Sequence, residues 1–232
     1  NDATITVATN NATHTVIWKG DVTNTDGIID FVNGTGEANV YFQGSSSTTL
    51  QMGGTLNEFY FIELDKGSDQ TYILTVNADA GSNFSITKAS GFRVNIKNGT
   101  LKLASSEISI SNLGNGGNYD IGSSANTNGA LWVDGASVTM NAAVVVYGKL
   151  IISNGDMTIP QQGLVIREDG EIVVEGGTLT VEKYRISNIG GTHRGTLTVT
   201  GGTFNIDNTL SGSSDSGYAA FSIPYSSQFL NV

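Results

Sequence analysis

Cysteine is absent from the 232 residues, and histidine and proline occur only twice each, at His14, His193, Pro160 and Pro224. Without cysteine there are no disulfides, no thiolate metal sites and no cysteine nucleophile. Two isolated histidines make no metal constellation. No stretch carries apolar residues at three- and four-residue spacing, so little or no helix is expected. No apolar run is long enough to span a bilayer, which argues against direct membrane insertion. Basic residues are scarce as well: 11 Lys and Arg stand against 21 Asp and Glu, for a net charge of −10. Phosphate binding needs clustered Lys and Arg, so nucleic acid and anionic membrane are poor partners.

Glycine is abundant, with 30 residues, alongside many Val, Ile, Leu, Thr and Ser. This composition favours strands joined by tight corners. A ten-residue unit recurs. Ile172-Val-Val-Glu-Gly-Gly-Thr-Leu-Thr-Val181 returns as Leu197-Thr-Val-Thr-Gly-Gly-Thr-Phe-Asn-Ile206. Each half alternates with period two, the signature of a strand, and the Gly-Gly pair supplies a corner at positive φ. Further copies begin at Leu150, Leu131 and Val94, and Leu230-Asn-Val232 repeats the first three places. The short intervals, from Leu131 to Leu150, Leu150 to Ile172 and Ile172 to Leu197, suit a single solenoid coil. The two long ones, from Val94 to Leu131 and from Leu197 to Leu230, suit one coil with an insert, or two coils. Their inserts would be 112–128 and 211–217.

A third apolar segment sits between units, at Ile108-Ser-Ile110, Val144-Val-Val146, Leu164-Val-Ile166 and Tyr184-Arg-Ile186. Three short strands per coil predict an all-β, right-handed parallel β-helix. Roughly ten coils stacked at ~4.8 Å would give a rod about 45–50 Å long. Residues 1–232 are read as one solenoid domain. Within it, 1–45 form degenerate first coils or a cap, 46–90 carry weaker copies such as Leu50-Gln-Met-Gly-Gly-Thr-Leu56, and 94–232 hold clear repeats. The start at Asn1 and the unfinished copy at Leu230 lead to the expectation of a piece of a longer chain.

The Gly-Gly-Thr-Leu-Thr-Val and Gly-Gly-Thr-Phe-Asn-Ile units with Ser/Asn-rich inserts resemble the β-helical repeat regions of large secreted, adhesin-like surface proteins. They are most similar to Bacteroidota substrates of the type IX secretion system. The resemblance covers about 94–232 well and 1–93 loosely. It implies a structural or adhesive segment, a stalk or adhesin, on a bacterial surface or outside the cell. Its partners would then be flanking domains, glycans or other surface proteins. Cargo bound to bacterial export machinery is an alternative.

An enzyme is the other class to weigh, because β-helices also carry polysaccharide lyases and glycoside hydrolases. A glycosidase needs two positioned carboxylates. The densest acidic run is Glu168-Asp169 with Glu171, which reads better as an exposed corner. A lyase needs a base and a cation, and Lys183, Arg185 and His193 with Tyr184 and Arg194 form the one basic concentration. The alternation of Tyr184-Arg-Ile-Ser and the loop character of 189–195 favour plain structure, so no catalytic residue and no cofactor are expected. A calcium site would be adventitious, since neither an RTX nonapeptide nor a D-x-D-x-D loop occurs. Trp132 occupies an outward place in its copy and could stack on a sugar. Outward threonines such as Thr196, Thr198 and Thr200 raise ice binding, but the copies vary too much in sequence to predict a regular T-x-T array on every coil.

Overall fold

The structure is a computed structural model that describes residues 4–89, 91–115, 118–160, 163–167, 169–182, 184–186, 195–207, 221–222 and 230–231. All of its regular elements are strands, and nearly every pairing is parallel. The chain winds through three faces per turn. The first face begins with Thr4–Thr6, Ile28–Asp30, Leu56–Phe59 and Phe84–Ile86, paired in that order. Ser109–Ser111 packs beside Phe84–Ile86 and opens the second stack of this face. That stack continues through 137–139, 156–159, Thr178–Val181 and Thr203–Ile206.

The second face carries Thr13–Trp18, Gly36–Gly44, Phe61–Lys66 and the first half of Val94–Leu103. It goes on through Tyr119–Ile121, Val144–Val146, Leu164–Ile166, Tyr184–Ile186 and Phe221–Ser222. On the third face lie Val22–Asn24, Thr48–Met52, Ile73–Ala78 and the second half of Val94–Leu103. The same face then takes the first halves of Gly129–Thr139 and Lys149–Ile159, followed by Glu171–Val174, Thr196–Val199 and Leu230–Asn231. Two small antiparallel contacts, Val32–Asn33 on Gly36–Gly44 and Gly91–Phe92 on Gly114–Asn115, sit at corners.

The parallel β-solenoid expected from the repeats is therefore present. Its count of roughly ten coils is slightly high: from Thr4 to Val181 the chain makes about seven turns, and the later strands extend the same stacks. Two placements also change. Ile108-Ser-Ile110 belongs to the first face, beside 137–139, whereas Val144–Val146 and Leu164–Ile166 belong to the second. The copy starting at Val94 is out of phase with the others. It crosses from the second face to the third at Gly99 (φ 89°), whereas the Leu131 and Leu150 copies cross from the third to the first at Gly135 and Gly155. The pattern of strand, glycine corner and strand is the same at both kinds of corner, so sequence alone does not separate them. In true register Leu103 faces Val133, and the apparent long interval between the Val94 and Leu131 copies shrinks by the offset in phase.

Among the strands whose side chains are described, alternation sends one side into a continuous core, Thr4–Thr6 excepted. Toward the first coils this core is aromatic: Trp18 packs on Phe31, Phe42 and Phe59, and Phe59 on Phe84, with centroids 5.3–6.3 Å apart. Farther on it is aliphatic, with stacks such as Leu131–Leu150–Ile172–Leu197, all essentially sealed from water. Close backbone approach at glycine occurs at early and late corners alike, since a Cβ on Gly54 would overlap Gly27 O, and the early corner adds buried amides. Between Val22–Asn24 and Leu56–Phe59 the buried amides close the corners. Asn24 Nδ2 donates to Asn57 Oδ1 (2.8 Å) and Gly53 O (3.1 Å), Asn57 Nδ2 donates to Gly53 O (3.0 Å), and Gly27 N donates to Asn24 Oδ1 (2.7 Å). At the later corners glycines stack on glycines. A Cβ on Gly177 would overlap the carbonyl oxygen of Gly155, and Gly177 also holds φ 65°.

Candidate functional site

Of the residues weighed for polysaccharide cleavage, the structure describes Asp169, Glu171 and the backbones of Tyr184 and Arg185. Glu168, Lys183 and His193 lie outside the described residues. Asp169 is exposed at the corner after Leu164–Ile166, where Gly170 N closes a turn on Arg167 O (2.9 Å). Glu171, the remaining carboxylate of that run, is ion-paired with Lys149 at 2.9 Å. Arg185 lies on the second face, its backbone in register with Val165 and Ser222. His14 sits on the first rung of this face, its Nε2 3.3 Å from Asn10 Oδ1. Seven rungs at ~4.8 Å separate it from Arg185, about 34 Å. No group of three or more His, Asp or Glu converges for a metal among the described residues.

The best-formed polar cluster on the outside is on the third face, where three successive turns meet. Outward positions stack in the order Thr75, Lys102, Trp132, Ile151 and Val173. Trp132 Nε1 donates to Ser153 Oγ (2.6 Å), and Ser153 Oγ donates to Asp134 Oδ1 (2.9 Å). Lys102 Nζ binds Asp134 Oδ2 at 2.7 Å and lies 3.8 Å from the centroid of the Trp132 ring. Burial pushes the Asp134 carboxyl up. The bonds from Lys102 and Ser153 and the charge of Lys102 outweigh this and hold it below the ordinary carboxylate range. The cluster is thus a neutral clamp across neighbouring turns, with one face of the indole occupied by the ammonium. A sugar could stack there only by displacing Lys102.

The outward place expected for Trp132 is correct. Its partner Lys102 was hidden by the phase error in the Val94 copy, which sets Asn95 opposite Trp132 instead. The pairing of Leu103 with Val133, once known, puts Lys102 there.

A second cluster lies on the second face. Glu63 accepts from Lys97 Nζ (2.7 Å) and Asn95 Nδ2 (2.8 Å). The bond to Glu63 raises the pKa of Lys97 against the opposing effect of its burial, and the Glu63, Asp65 and Tyr41 charges add to the rise. One turn of corner is pinned beside it: Asn98 donates to Asp65 (2.6 Å) and accepts from Asn126 (3.0 Å). Lys66 is the one unexpected interior cation among the described residues. It continues the inward alternation of Leu64, is fully covered, and donates to Gln43 O at 3.2 Å. Burial lowers its pKa, and the nearby Asp21 charge opposes that shift. These contacts tie turns together.

No protein-family model, no curated protein and no solved structure matches the chain.

Proposed function

We propose that the chain is a structural and adhesive repeat segment of a secreted or cell-surface bacterial protein, built to hold a stiff, regular surface. The observation that carries this reading is the stack of turns on a sealed core, paired without a break along the third face. The polar clusters on its outside join one turn to the next: Lys102 to Asp134, Lys97 to Glu63 and Lys149 to Glu171. A catalytic groove would instead gather titratable groups around an open cleft. The resemblance of the Gly-Gly-Thr units to the repeat regions of type IX secretion substrates supports the surface location.

The test sets adhesion against catalysis on the same sample. Beads coated with the protein are scored for attachment to immobilised glycans and to bacterial cells. In parallel the soluble protein is incubated with polygalacturonate, alginate and xylan. Attachment without new reducing ends or unsaturated uronates is the expected result. Chain cleavage that is lost in Arg185→Ala would replace the adhesive reading with an enzymatic one.

A further inference from the structure

We draw no further inference here: the strongest candidate, the first rung of the solenoid formed by Thr4–Thr6, Thr13–Trp18 and Val22–Asn24, where Ile5 is 49% exposed above the sealed Ile29, is an unpartnered apolar face, and nothing in the structure shows what covers it.

Discussion

The early and late turns solve one packing problem in two ways. Register sets Val22 against Leu50, Leu50 against Val76 and Val76 against Leu103, so each early turn takes a long stretch of chain. Later, Val133 faces Ile152, Ile152 faces Val174 and Val174 faces Val199, and every one of these turns is shorter than any of the early three. The wide turns enclose Trp18, Phe31, Phe42, Phe59 and Phe84, and close a corner with the amides of Asn24 and Asn57. The narrow turns enclose Val, Ile, Leu and Met and close with stacked glycines. Cross-section and filling change together, because a solenoid has no slack: each turn must match the one beneath it in register and in volume. Close glycine–backbone approach occurs at both, Gly54 over Gly27 O and Gly177 over Gly155 O, and the wide corner adds buried side-chain hydrogen bonds.

That contrast can be broken at the glycine stack first. Gly177→Ala combines a positive φ with overlap on Gly155 O and is expected to cost about 3 kcal/mol or more, read by chemical denaturation. Gly81→Ala is the control: φ is 80°, but nothing lies within 4 Å of the new Cβ. It should cost about 1 kcal/mol, from backbone strain alone. Equal costs at the two sites would mean that close approach does not define the narrow corner.

The amide corner comes next. Asn57→Ala removes two buried hydrogen bonds, from Asn24 Nδ2 to its Oδ1 and from its Nδ2 to Gly53 O, and is expected to cost about 2 kcal/mol by thermal or urea melting. A loss under about 0.5 kcal/mol would reduce the wide corner to plain packing.

The smallest effect lies where the two regions meet, at the Lys102–Asp134–Trp132 clamp. The folded pKa of Asp134 is depressed, so its contribution is present above the ordinary carboxylate range and fades as pH falls through the folded value. Asp134→Asn should therefore destabilise by about 1 kcal/mol at pH 7 and by almost nothing near pH 2, as seen in melts across pH. A penalty independent of pH would assign the clamp to shape and not to charge.

The narrow turns were the legible ones. Gly176-Gly177 and Gly201-Gly202 repeat in sequence because stacked backbone tolerates nothing larger, so chemistry and pattern coincide there. The wide turns hide their equivalence: Asn24, Gly53-Gly54 and the corner before Ser109 occupy matching places with different residues. The Val94 copy misled for a related reason, since a glycine corner looks the same whichever two faces it joins. Lys66 shows the limit of alternation as a guide. Its position points inward, and its charge argues outward until Gln43 O is seen to receive it. Adjacency in the chain here means a step around the coil. Contact in this fold is between residues one turn apart, and Lys102 meeting Trp132 is the example that sequence reading passed over.

The parallel register has a mechanical consequence. The backbone hydrogen bonds between turns point along the solenoid axis, so a pull on its ends loads them one rung at a time, like opening a zipper. Each rung that yields releases its own length of chain. For the turn from Ile152 to Val174 that is about 75 Å of extended polypeptide. The wide turns release more per event than the narrow ones, which makes the molecule a graded extender whose steps are set by the lengths of its coils.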